Sequence, residues 1–168
     1  MRMERIWAGW RMGYVVGGTG DDAGCFLCAL PESGDDEGAL ILARSDRCFA
    51  IMNLYPYNTG HTMVAPFRHV GELEEVAPDE MADMMDLVQR LVVATKEAME
   101  PDAFNVGMNL GRAAGAGVPG HLHVHLVPRW AGDTNFMPVL SDTKVMPESI
   151  EDTYDKLRAR LASQNSGF

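Results

Sequence analysis

The chain has 168 residues, enough for one domain with its own core. Hydrophobic residues at 46% and charged residues at 23% give an ordinary globular composition, and no run of about 18 apolar residues is present to cross a membrane. A formal net charge of −10 weighs against a nucleic-acid polymer as partner, and against an anionic substrate unless the site is locally positive.

Residues 1–7 lack the apolar core of a signal peptide. With Arg2, Arg5, Trp7, Trp10 and Arg11, residues 1–13 read as an aromatic, basic arm packed on the body or on a second subunit. Residues 17–24 and 31–38 read as loops, with Cys25-Phe26-Leu27-Cys28 between them. Residues 39–44 and 48–54 read as strands joined at Ser45-Asp46-Arg47, and 61–66 as a third strand after the break at Pro56 and Asn58-Thr59-Gly60. Pro78 opens a helix. Met81, Met84, Met85, Val88, Leu91, Val92 and Thr95 recur at helical spacing, a core stripe, and Asp79 and Glu80 suit its first turn. Residues 104–109 read as a strand, 111–120 as a loop of small residues, 120–127 as another strand, and 148–162 as a shorter helix. The order predicts a single α+β domain, a sandwich of a mostly antiparallel sheet with one long and one short helix.

Three of the five histidines stand at alternate positions, His121, His123 and His125. A strand sends alternate side chains to one face, so the imidazoles share a face while Leu122, Val124 and Leu126 point to the core. Such a row can hold a metal, pass protons or attack an electrophile; the plain alternative is an edge strand with polar outward positions. A neutral imidazole is a nucleophile at pH 7 without a separate base, and attack on phosphorus needs donors for the phosphate oxygens. The loop Gly111-Arg112-Ala113-Ala114-Gly115-Ala116-Gly117 runs into the histidines, and small residues let backbone N–H groups approach an anion. Arg112 and Arg129 are either local positive charge or solvated surface. Three cysteines cannot all pair with one another, which fits a reducing cytoplasm better than a disulfide scaffold. Cys25-x-x-Cys28 has the spacing of half a zinc site, of a redox pair, or of two inert thiols; Cys48 reads as a buried small apolar residue.

The pattern His-apolar-His-apolar-His-apolar-apolar resembles the signature of the histidine triad (HIT) superfamily of nucleotide hydrolases and transferases. Residues 53–61, Asn53-Leu54-Tyr55-Pro56-Tyr57-Asn58-Thr59-Gly60-His61, resemble its nucleoside-binding segment. Ala65-Pro66-Phe67-Arg68-His69 and Asn109-Leu110-Gly111 extend the likeness over about 25–130. The resemblance implies a HIT-like fold, a small-molecule nucleotide substrate and a homodimer. It implies His123 as the nucleophile forming a nucleotidyl-histidine, His125 at the phosphate, and His61 packed behind the triad. It also implies Asn53 at the ribose, with Asn109, Gly115, Ala116, Gly117 and Val118 around the phosphates. Many relatives carry Gln or Ser where Ala116 and Gly117 stand, so backbone donors carry more of the work here. The continuation through Trp130 to Met137 resembles the diadenosine-tetraphosphate phosphorylase-like and dinucleoside-polyphosphate hydrolase branch, with phosphate or water as acceptor. Trp130 itself would stack on a base, on a partner subunit, or simply pack. For the CxxC, the resemblance implies a structural zinc on Cys25, Cys28, His69 and His121. Rival readings are a nucleotide-binding protein with little turnover, a phosphoramidate hydrolase, and a metallohydrolase with all three histidines on one ion. Alternate residues on one strand stand about 6.5–7 Å apart, which opposes the last.

Overall fold

A computed structural model describes residues 24–133 and 145–164. The basic arm at 1–13 and the continuation at 134–137 lie outside the described residues. Five strands, β1 (Ile41–Arg44), β2 (Cys48–Met52), β3 (Thr62–Pro66), β4 (Ala103–Met108) and β5 (Val124–Arg129), form one antiparallel sheet in the order β1-β2-β3-β5-β4. Among the described residues three α-helices accompany it: α1 (Phe26–Glu32), α2 (Pro78–Met99) and α3 (Ile150–Gln164). The α+β expectation holds.

Strand alternation sorts the side chains onto two faces. Ala50, Met52, Val64, Val124 and Leu126 meet Met84, Leu87, Val88 and Leu91 of α2 and Leu157 and Leu161 of α3. Phe49, Ile51, Met63 and Ala65 point the other way, onto Leu27 of α1. Because both faces are covered, every residue of β2 and β3 is buried. Burying a Leu or Phe contributes about 1.5–3 kcal/mol, so the central strands have no tolerance for a polar slip in register.

Pro78 occupies the first turn of α2 with Asp79 and Glu80, and Glu100 closes the helix in the left-handed region at φ 48°. Met85 departs from the expected stripe and is exposed. Each residue turns the helix by about 100°, which carries Met85 off the face centred on Met84, Val88 and Leu91. Ser149 caps α3, its Oγ accepting from the Asp152 N–H at 3.0 Å.

Two boundaries differ from the sequence reading in ways that matter for the site. First, the segment expected to be loop from residue 31 begins as helix: α1 carries Phe26, Leu27, Cys28 and Leu30 and runs through Pro31 to Glu32. Second, β5 starts at Val124, so only His125 of the triad is in the strand. The β3–β5 ladder pairs Thr62 with Leu126 and Val64 with Val124, and Pro66, two residues on, has no N–H to continue it. Leu122 N–H turns instead to the Val70 carbonyl at 2.6 Å.

Candidate functional site

A cavity of about 310 Å³ opens on the sheet face opposite α2 and α3. His123 and His125 line it beside Asn53, Tyr57 and the loop residues Gly115, Gly117 and Val118; Phe26 and Leu30 of α1, with Ile51, Leu54 and Met63, supply an apolar end. The apolar end was not read from the sequence as part of the site. Its signal was the i, i+4 spacing of Phe26 and Leu30, which needs α1 to be a helix.

The triad face is buried rather than solvated: His121, His123 and His125 are 0%, 6% and 8% exposed. Burial of charge is disfavoured, so all three are held below the ordinary imidazole value, with His125 down at about 4. All three are therefore neutral at pH 7, and their hydrogen bonds fix the tautomers. His123 Nδ1 lies 2.8 Å from the His121 carbonyl. A carbonyl only accepts, so Nδ1 carries the proton and Nε2 keeps its lone pair. The opposite arrangement holds at His125. The Tyr57 N–H donates to His61 Nδ1 at 2.9 Å, so His61 is protonated at Nε2 and donates to His125 Nδ1 at 2.9 Å. That leaves His125 with its proton on Nε2, a buried donor with no partner among the described residues. The rings of His123 and His125 meet edge to face with centroids 4.8 Å apart. Side by side they present one lone pair and one N–H.

His61, fully buried, is thus the middle link of a relay that begins at a backbone amide. Asn53 sits against it, its Nδ2 3.3 Å from both ring nitrogens, while its Oδ1 accepts from the Tyr55 N–H at 2.9 Å. The Tyr57 ring covers His61 and His125 at 4.5 and 5.6 Å between centroids.

The small-residue loop is more selective than its composition suggests. The N–H groups of Ala114, Gly115 and Ala116 donate back to carbonyls of Gly111 and Arg112 within a 3-10 turn at Arg112–Ala114. Gly111 and Gly115 take φ of 78° and 92°, which glycine adopts without a side-chain penalty. Asn109 braces the turn, its Nδ2 3.5 Å from the Gly115 carbonyl. Neither Asn109 nor Ala116 lines the cavity, whereas Gly117 and Val118 do. Arg129, a candidate for local positive charge, is instead at the far end of β5, paired with Asp133 at 2.6 Å and with Asn105 at 3.0 Å. Arg112 is exposed on the loop turn. Trp130 borders a separate hollow with Thr59, Met99 and Val145.

His121 points away from its two companions. Its Nε2–H donates to the Pro66 carbonyl at 2.8 Å, which leaves the Nδ1 lone pair facing Cys25 Sγ at 3.2 Å and Cys28 Sγ at 3.5 Å. His69 Nδ1 is 3.4 Å from Cys28 Sγ. The four donor atoms lie within 4.8 Å of one another, a cluster that can bind a metal. Burial and the neighbouring Cys25 push the Cys28 thiol up to about 11, so an adjacent cation is what would favour the thiolates. Cys48 is separate and fully buried, its thiol pushed up to about 12 by that burial.

A family model described as HIT domain matches residues 36–132. The AP-4-A phosphorylase of Mycobacterium tuberculosis (strain H37Rv) is 39% identical over 171 aligned positions, covering 97% of this chain and 87% of that one. The asymmetrical bis(5'-nucleosyl)-tetraphosphatase of Schizosaccharomyces pombe is 33% identical over 96 residues, covering 57% of this chain and 52% of the other. Among solved structures, a Zn-bound histidine triad family protein from Mycobacterium smegmatis superposes with a TM-score of 0.69 at 30% identity, covering 86% of this chain and 97% of that one. The chain belongs to the HIT domain family.

Proposed function

We propose that this HIT-family chain is a nucleotidyl hydrolase or transferase acting on dinucleoside polyphosphates of the diadenosine tetraphosphate type, through a covalent nucleotidyl-histidine. The observation that carries the reading is the pair of opposite tautomers at His123 and His125. The His123 Nε2 lone pair attacks the α-phosphorus; a P–N bond forms as the P–O bond to the remaining polyphosphate breaks. The leaving nucleotide departs on its own oxygen. Phosphate or water then attacks the same phosphorus and releases His123. His125 Nε2–H donates to a phosphate oxygen as charge builds there, and the His61–Tyr57 relay keeps that proton on Nε2. Gly117 and Val118 line the cavity at the end of the loop, and their N–H groups are assigned to the other phosphate oxygens. Asn53 is assigned to the ribose, and the Phe26–Leu30 wall to the base.

The Cys₂His₂ donor set and the buried His121 held by Pro66 fit a structural zinc. Four protein ligands leave no open position, so the ion would hold elements together and take no part in the displacement. A three-histidine catalytic ion is disfavoured, because His121, His123 and His125 aim at the cysteines, the cavity and His61 respectively. The two core clusters share one sheet, which supports reading the described residues as a single domain; the working form is proposed as a homodimer.

Incubation of the pure protein with diadenosine tetraphosphate, with and without phosphate, tests the reading. ADP plus ATP appearing only with phosphate marks phosphorolysis, and AMP plus ATP marks hydrolysis. No turnover under either condition, with nucleotide still bound, returns the site to a binding role.

A further inference from the structure

The geometry points to a coupling between the Cys25/Cys28/His69/His121 cluster and the nucleoside end of the cavity: zinc on the cluster fixes the Phe26–Leu30 wall against the base, so that metal and nucleotide each tighten the other's binding. This rests on the nucleotide reading of the cavity.

The argument starts with α1. It has seven residues, no side-chain cap at its N-terminus and Pro31 inside it. A helix of that length does not sustain itself in water. Its residues divide between two neighbours. Cys25, at its N-terminal boundary, and Cys28 face His121 and His69, while Phe26 and Leu30 line the cavity. The residues that would grip the metal are therefore interleaved with those that would grip the base. Leu27, packed on Phe49, Ile51, Met63 and Ala65, and the Arg44 Nη2 bond to the Pro31 carbonyl at 2.8 Å also tether the helix, and they set the strength that the cluster must add to.

The cluster reaches the other walls too. The His121 carbonyl receives the His123 Nδ1 proton at 2.8 Å. The His69 ring packs under Gly120, where a Cβ would lie 3.5 Å from Nε2. Gly71, two residues beyond His69, abuts the Pro119 carbonyl so closely that a Cβ would stand 2.9 Å from it. The contacts to Gly120, Pro119 and His123 are made by the chain's own packing and hydrogen bonds and stand without an ion. Of the walls that meet at the cluster, the short, uncapped α1 is the one an ion there would pre-organise for the nucleotide, which is cooperativity by pre-organisation.

The test compares the full chain loaded with zinc and stripped by a chelator, using AMP and ribose 5-phosphate as ligands in calorimetry. Stripping should weaken AMP about tenfold, and saturating AMP should tighten zinc by the same factor in a chelator competition, since linkage is reciprocal. Ribose 5-phosphate, which lacks the base, should change by less than about twofold. In zinc-loaded Phe26→Ala, AMP should bind more weakly and the AMP–zinc coupling should fall below about twofold, with zinc affinity in the absence of nucleotide unchanged. Equal AMP affinity with and without zinc overturns the proposal. So does equal weakening of both ligands, which marks general loosening, or full coupling surviving in Phe26→Ala. Zinc-loaded parent that fails to bind AMP overturns the nucleotide reading itself, and the coupling with it.

Discussion

His123 and His125 stand two residues apart, yet their neighbours assign them opposite tasks. A carbonyl at Nδ1 makes His123 an acceptor at Nε2, and a relay from the Tyr57 amide makes His125 a donor at Nε2. On the proposed mechanism His123→Ala removes the attacking atom and leaves the cavity, so turnover should fall by about three orders of magnitude or more while AMP binds within a few-fold of the parent. A mass-labelled adduct trapped under acid-free conditions should map to His123 in the parent and vanish in the variant; an adduct elsewhere would move the nucleophile. Acid reads the same residues differently. Burial lowers His125 from 6.5 to about 4, so between those values the unfolded chain binds the proton and the folded chain does not. The stability from keeping this ring neutral is complete above about pH 6.5 and drains as the pH falls toward 4, by on the order of 3 kcal/mol. Urea unfolding of parent and His125→Gln across that window isolates the group. The parent should lose stability more steeply, by close to one proton, and parallel curves would show that His125 does not titrate this way.

At the scale of elements, the loop proposed for the phosphates shows what glycine is for at each position. Gly115 takes φ of 92°, so any side chain there is strained whatever the space. Gly117 has no such φ, a Cβ on it would meet nothing within 4 Å, and the residue lines the cavity. Gly117→Val should therefore fold with the parent's Tm and raise KM for the dinucleotide about tenfold or more, while Gly115→Val should lower Tm by a cost of about 1–2 kcal/mol. Parent-like KM in Gly117→Val would take the loop out of the phosphate site. Much of this was legible in the sequence. The period of two in His121–His125 and the small-residue run were visible, and so were the helical stripe around Met84 and Leu91 and the CxxC. Three features were not. Which amides the 3-10 turn consumes depends on backbone angles, not on composition. The early end of the β3–β5 ladder depends on Pro66 facing the triad across strands. The α1 wall was hidden because Pro31 and the flanking acidic and glycine residues read as loop, whereas Leu27, buried against Phe49, Ile51 and Met63, and Arg44 at the Pro31 carbonyl hold the helix in place.

For the whole molecule, the sheet separates support from chemistry, and its edges bear on the proposed dimer. One face is filled by α2 and α3, the other by α1 and the cavity. The two edge strands are not alike. At β1, Tyr154 of α3 reaches over to the Ile41 carbonyl, and Arg44 pairs with Asp36 at 2.7 Å. At β4, Ala103, Asn105, Val106 and Gly107 are exposed, and no strand lies beyond it among the described residues. Val106 is 47% exposed and Leu110, just past the strand, 48%. An open apolar edge is a template for another strand, and a second β4 in antiparallel register gives a closed two-fold pair. Such pairing would also steady the site, because Gly107 is in register with His125 across the β4–β5 ladder. The proposed homodimer should therefore form through β4. Light scattering should give twice the chain mass of 18.4 kDa. Val106→Glu would set two like charges near the two-fold axis, and like charges facing across strands repel. It should yield a folded monomer with the parent's far-ultraviolet dichroism and reduced turnover. A dimer that survives this substitution moves the interface to another surface, and a monomeric parent removes the dimer altogether.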